Sequence, residues 1–279
     1  MSGTAEASAP ISERRIDVAG TSVFLREAPS KTPAPVLYLH GVPTHGADWI
    51  PFLERTGGIA PDLPGFGRSD KSGGFDYSIE GYRSFLSALV DQLGLHRISL
   101  VVHDWGAVGL ALAQERPELI DRLVIADAVP LLPGYRWHRI ARIWRTPVAG
   151  ELFMGATTRA ALRWTMRRSH AVPENRVDDW VGSMIGEFDH GTQRAILRLY
   201  RSAPPSVLES AGTRLGELQA PAMVVWGDRD PFLPTRFAHA FGDALGGEAQ
   251  VRVMPGAGHW PWLDEPRLID EVAAFLSGA

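Results

Sequence analysis

An apolar run over 98–102 stops at His103-Asp104-Trp105-Gly106, and a second apolar-periodic stretch, 107–113, follows at once. That pattern predicts a buried strand, a sharp turn with Asp104 at its tip, and a helix packed back on the sheet. Two more polar residues stand in equivalent places. Asp230 lies in Trp226-Gly227-Asp228-Arg229-Asp230-Pro231 and His259 in Gly256-Ala257-Gly258-His259-Trp260, each directly after a strand-like run. In an open α/β sheet the crevice beyond the carboxyl ends of the strands collects such residues. A carboxylate, a histidine and a second acid are the parts for nucleophilic attack aided by a positioned general base. Asp228 and Asp127 compete with Asp230 for the second acid. No G-x-S-x-G occurs, so a serine esterase has no obvious nucleophile here.

The elements that must position these residues follow from patterning. Residues 16–18 and 22–26 read as a hairpin, 36–39 as a buried strand, and 48–55 as a helix. Ser78 caps a helix that runs to about Leu93 and ends at Gly94. Strands are expected at 97–102, 122–126, 222–226 and 250–254, with helices over 235–245 and 266–276. Strands alternating with helices predict an α/β fold, a mostly parallel sheet covered on both faces. Between 129 and 213 the strand-like runs vanish. Residues 131–170 contain eight arginines and one acid, Glu151. Trp137, Ile140 and Trp144 fall on one helical face, with Arg136, Arg139, Arg142 and Arg145 off it. The expected organisation is a flexible tail over 1–14, a core over 15–129 and 214–279, and a helical cap over 130–213, inserted after the sixth strand.

Bulk properties narrow the classes. The chain has 279 residues, 45% hydrophobic and 22% charged, with a net charge of −4. This is ordinary globular composition, and it argues against a nucleic-acid binder. With no cysteine there are neither disulfides nor thiolate metal sites, and the histidines lack metal-ligand spacing. No window approaches a membrane span, and residues 1–13 lack the pattern of a signal peptide. A cytoplasmic protein needing no metal and no cofactor is expected, with a small apolar electrophile and water as its partners. The basic cap surface reads as solvation, with an acidic partner or an anionic membrane as the alternative. Arg68 and Asp70 read as a loop-fixing pair, and His40 and His103 as structural braces.

Three features together carry a family resemblance: the order Asp104, Asp230, His259; His40-Gly41-x-Pro43; and His103-Asp104-Trp105-Gly106. Over roughly residues 15 to 279 the chain resembles the α/β-hydrolase fold superfamily, nearest the epoxide hydrolases and haloalkane dehalogenases. The resemblance implies that Asp104 is the nucleophile, His259 the general base and Asp230 its orienting acid. The backbone N–H groups of Val42 and Trp105 would form the oxyanion hole. Carboxylate attack on saturated carbon gives an alkyl ester that water can hydrolyse at its carbonyl, whereas serine would give an inert ether.

The leaving group separates the two activities. An epoxide oxygen needs a proton, and epoxide hydrolases typically supply it from two cap tyrosines. Tyr200, in Leu199-Tyr200-Arg201, resembles the second, and Tyr135 falls where the first is expected. A halide needs N–H donors, which Trp105 and either Trp137 or Trp144 would provide. Many dehalogenases place an Asn at the position of Val42, whose side chain cannot donate. Epoxide hydrolysis is therefore the expected activity. Haloalkane dehalogenation is the alternative, and a non-catalytic binding protein of the same fold a further one.

Overall fold

The computed structural model describes residues 10–278. Eight strands form one sheet: β1 (Ser12–Val18), β2 (Thr21–Ala28), β3 (Val36–Leu39), β4 (Gly58–Pro61), β5 (Ile98–Asp104), β6 (Ile120–Ala128), β7 (Ala222–Gly227) and β8 (Ala249–Met254). Their order is β1-β2-β4-β3-β5-β6-β7-β8, with β2 antiparallel to both its neighbours and all other pairs parallel. Strands β3, β5 and β7 are buried along their whole length, as strands covered on both faces must be. The outer strands expose polar residues, Ser12 to Arg15 in succession on β1 and Gln250 and Arg252 in alternation on β8, which discourages further pairing. The expected tail is shorter than read, because β1 already pairs from Ser12; residues 1–9 lie outside the described residues.

Side-chain alternation splits the core in two. Leu37, Leu39, Leu100 and Val102 face one side, and Val36, Tyr38, Val101 and Val124 face the other. Three helices follow the early strands, α1 (Ile50–Thr56), α2 (Ile79–Gln92) and α3 (Gly109–Glu115). The Ser78 hydroxyl caps α2 by accepting from the Gly81 N–H at 3.0 Å, and Gly94 takes up φ +65° just beyond its end. Six helices lie between β6 and β7: α4 (Arg139–Arg145), α5 (Ala149–Gly155), α6 (Arg159–Ser169), α7 (Val177–Ile185), α8 (His190–Ser202) and α9 (Pro205–Ala211). The chain closes with α10 (Arg236–Ala244), α11 (Pro261–Asp264) and α12 (Arg267–Ser277).

Trp137 does not share a helix with Ile140 and Trp144. The chain is still extended at His138 (φ −62°, ψ 167°), whose Nδ1 accepts from the Ala141 N–H at 3.3 Å and so starts α4 at Arg139. The Arg68–Asp70 pair is also replaced by other contacts. Arg68 pairs with Glu13 at 3.0 Å, and the Asp70 N–H donates to the Ser22 carbonyl. A buried ion pair that no sequence pattern announced joins Arg26 and Asp62 at 2.6 Å. Asp62 also accepts from the Gly46 and Arg68 N–H groups at 2.8 and 2.9 Å, tying together the loops beside β3 and β4.

Candidate active site

Strand β3 pairs with β4 on one side and β5 on the other, so the loops leaving β3 and β5 part from each other and open a crevice. Asp104 occupies the tip of the β5 loop at φ +48°, ψ −118°, a conformation that a non-glycine residue adopts only when its surroundings enforce it. Close approach to β3 enforces it here. A Cβ on Gly106 would stand 2.2 Å from the Leu39 carbonyl oxygen, and one on Gly41 2.5 Å from the Asp104 Cβ. Only glycine at both places lets the two loops meet.

The Asp104 carboxylate is thereby fixed. Its Oδ1 accepts from the Val42 N–H at 2.7 Å, and its Oδ2 stands 3.7 Å from His259 Nε2. Burial pushes the Asp104 pKa upward. The His259 charge and the Val42 and Trp105 N–H groups oppose the shift without cancelling it, although of the two N–H groups only Val42 forms a well-made bond. His259 Nδ1 donates to Asp230 Oδ2 at 2.7 Å, while Asp230 Oδ1 accepts from the Phe232 and Leu233 N–H groups at 2.7 and 3.0 Å. Both oxygens of Asp230 are thus engaged, and the histidine ring has one orientation. Burial alone would lower the His259 pKa, but the Asp230 charge, its hydrogen bond and the Asp104 charge together raise it. Asp228 turns elsewhere, accepting from the Gly256 N–H at 2.7 Å.

Asp127 follows β6, is fully buried and also has positive φ, +35°. Its Oδ1 accepts from the Gly227 N–H at 2.9 Å, and its Oδ2 has no other partner. Burial, then the neighbouring Asp230 charge, raise its pKa well above the carboxylate range, which favours the protonated acid beside Asp230. Donor atoms of Asp127, Asp230 and His259 lie within 4.8 Å of one another. His40 and His103 act as braces. His40 Nε2 accepts from the Leu63 N–H at 2.8 Å, with burial depressing its pKa to about 4, and His103 Nε2 donates to the His259 carbonyl at 2.8 Å.

A cavity of about 320 Å³ lies above Asp104 and His259; its cap-side wall includes Tyr200, His138 and Trp144, and Phe232 joins them from the loop after β7. The Tyr200 ring is clamped by Trp105, Trp137 and Trp144 at centroid distances of 5.2, 4.8 and 4.9 Å. Burial, followed by the Asp104 charge, raises its pKa well above the usual phenol value, so its proton stays in place. Two cap residues expected in the site are not in the cavity wall. Tyr135 packs against Trp137 and Phe237, with its hydroxyl buried and unpartnered. Trp137 donates its indole N–H to the Ala203 carbonyl at 2.8 Å, so this group is not available to a halide. Both corrections go with one feature: residues 135–137 are not helical, and the two aromatic rings are buried in the core.

His138, three residues on, lines the cavity where Tyr135 does not. Because Nδ1 accepts a backbone N–H, the neutral ring carries its proton on Nε2, and burial depresses the pKa to about 4. Its place directly before the Arg-rich helix was a cap signal in the sequence, yet histidine is not among the favoured capping residues. The indole N–H groups of Trp105 and Trp144 are buried without partners, and Trp144 alone of the two lines the cavity.

A family model described as the alpha/beta hydrolase fold matches residues 34–266. Haloalkane dehalogenase 1 of Mycobacterium bovis is 32% identical over 217 residues, spanning 71% of this chain and 69% of its own. A haloalkane dehalogenase of Mycolicibacterium paratuberculosis is 28% identical over 273 residues, 90% of this chain and 86% of its own. The crystal structure of haloalkane dehalogenase DbeA from Bradyrhizobium elkani superposes with a TM-score of 0.81 at 25% identity, covering 96% of this chain and 98% of that one. Together with the sheet order and the carboxylate on the β5 turn, these matches place the chain: it belongs to the α/β-hydrolase fold family, in the group that joins haloalkane dehalogenases and epoxide hydrolases.

Proposed function

We propose that this hydrolase opens epoxides to vicinal diols through an ester on Asp104. The observation that carries the reading is the cap-side wall: a tyrosine hydroxyl, Tyr200, lines the same cavity as Asp104, with the neutral imidazole of His138 as a second donor. An alkoxide needs such a proton donor and a halide does not. In the first step Asp104 Oδ2 bonds to an epoxide carbon, the C–O bond breaks, and the alkoxide takes the Tyr200 proton. Oδ1 becomes the ester carbonyl oxygen and remains beside the Val42 N–H. In the second step His259 Nε2 accepts a proton as water attacks Cγ of the ester. Collapse frees the diol and regenerates the Asp104 carboxylate, and the His259 proton returns through water to the Tyr200 phenolate.

Esterification also tunes the base. It removes a negative charge 3.7 Å from His259 Nε2, one of the charges that raise its pKa, so the ring becomes a neutral base when water must be activated. Dehalogenation through the same ester is the second reading. It is favoured by the relatives named above and by the unpartnered Trp144 N–H in the cavity wall.

The test uses His259→Gln with styrene oxide and with 1-bromobutane, read by intact mass. A trapped adduct on Asp104 with the epoxide supports the reading, and no adduct with either compound refutes covalent hydrolysis. Tyr200→Phe separates the readings. Epoxide turnover should fall about 100-fold or more while bromide release is spared; equal losses on both substrates, or bromide release as the only wild-type activity, would favour dehalogenation.

A further inference from the structure

The rim of the cavity carries an apolar patch that neither the fold nor the chemistry requires. Val148 is 69% exposed, Leu152 70%, Trp164 63% and Phe153 37%. Phe153 and Trp164 also line the cavity, which puts the patch at its mouth. Val148 is held at φ +68°, an unfavourable angle for a β-branched residue, with its side chain in solvent.

The segment that carries this patch is rich in cations. Residues 131–170 hold eight arginines against one acid, a balance of +7 in a chain of net charge −4. Arg163 and Arg167 pair with Asp178, Arg145 donates to the Tyr200 and Ala203 carbonyls, and Glu151 is taken by Arg201. Arg136, Arg139, Arg142, Arg159 and Arg168 have no carboxylate partner among the described residues. Arg168 stacks on Trp164 with its guanidinium 5.3 Å from the ring centre, so cation and exposed indole share one face. Exposed aliphatic and indole side chains in a segment with five arginines free of carboxylates match the interface of an anionic bilayer, with apolar groups for the acyl boundary and guanidinium for lipid phosphate. No helix among the described residues is long and apolar enough to cross a membrane, so the contact is peripheral.

We infer that the cap docks through Val148, Leu152, Phe153 and Trp164 onto an anionic lipid surface, which opens the cavity mouth toward lipophilic substrate dissolved there. The delivery of substrate rests on the proposed hydrolytic reading; the docking does not.

The experiment is flotation of the intact protein with vesicles of phosphatidylcholine alone and of phosphatidylcholine with 30% phosphatidylglycerol. Binding at least tenfold tighter to the anionic vesicles and weakened by 0.5 M NaCl is expected. Each docked arginine contributes about fivefold. Leu152→Glu should abolish flotation with turnover of a small water-soluble substrate unchanged, and Arg168→Gln should weaken it several-fold. No flotation with either vesicle, or flotation indifferent to Leu152→Glu, overturns the inference. So does a concentration-dependent dimer that Leu152→Glu dissociates in the absence of vesicle binding, since the patch would then be a contact between copies. If the protein floats as expected but turns over neither epoxide nor haloalkane, the hydrolytic reading fails and the docking stands.

Discussion

On the sheet side of the cavity, hydrogen bonds at their other atoms hold the reacting groups in place: Asp104 Oδ1 is bonded to Val42, His259 Nδ1 to Asp230, and both Asp230 oxygens to three donors. On the cap side the Trp144 indole is unpartnered, and the Tyr200 ring is clamped among three tryptophans. The contrast follows from what each side must do. In the proposed reaction, attack on carbon and hydrolysis of the ester need one geometry for any substrate, which preorganised bonds supply. The leaving group and the rest of the substrate vary, and an apolar wall with few unspent donors accepts them.

If the division is sound, damage on the sheet side should stop turnover of every substrate, and damage on the cap side should be selective. The largest effect is expected for Asp104→Asn, a loss on the order of 10⁶-fold with epoxide and haloalkane alike, measured by product release. Residual activity on one substrate class alone would break the comparison. Asp230→Asn should reduce kcat on the order of 10⁴-fold, because the histidine loses its orienting acid. It should also move the pH profile. In the proposed reaction His259 must be neutral when water attacks the ester, and the Asp230 charge and hydrogen bond hold its pKa up, so Asp230 sets the acid limb of kcat. Without the Asp230 charge, the limb should shift to lower pH.

Asp127→Asn sharpens the sheet side. A neutral acid and an amide are near-isosteres, since the Asn oxygen can still accept from Gly227 and its NH₂ can donate to Asp230. The change in kcat should stay within about threefold, on the scale of one altered hydrogen bond. The acid limb should not move; a downward shift of a full pH unit would mean that Asp127 is ionised. The smallest effect belongs to the cap. His138→Ala removes the N-cap of α4 and should cost about 1 kcal/mol in thermal unfolding, whereas His138→Asn keeps a capping oxygen and should retain the stability. Equal stability losses in both variants would show that capping is not the structural role of His138.

The sequence by itself determined the α/β architecture and the identity of the residues at the strand ends. Apolar runs of strand length are readable because they must be buried on both faces, as in β5 and β7. Asp104, Asp230 and His259 stood out because a polar residue ending such a run has only the crevice to enter. The Ser78 cap and the Gly94 stop were equally local signals. The Arg26–Asp62 pair spans 36 residues and leaves no periodic trace, so only the tertiary structure revealed it.

Tertiary structure alone decided the cap. Tyr135, Trp137 and His138 sit within four residues, and their spacing fits a helix or an extended segment equally well. Which ring enters the core and which lines the cavity depends on where α4 begins, and that was set by the hydrogen bond from Ala141 to His138. The position of Trp137 was fixed by a carbonyl 66 residues away, that of Ala203. Local patterning carries no information about such a partner, because the physical cause is packing between distant segments rather than propensity within one.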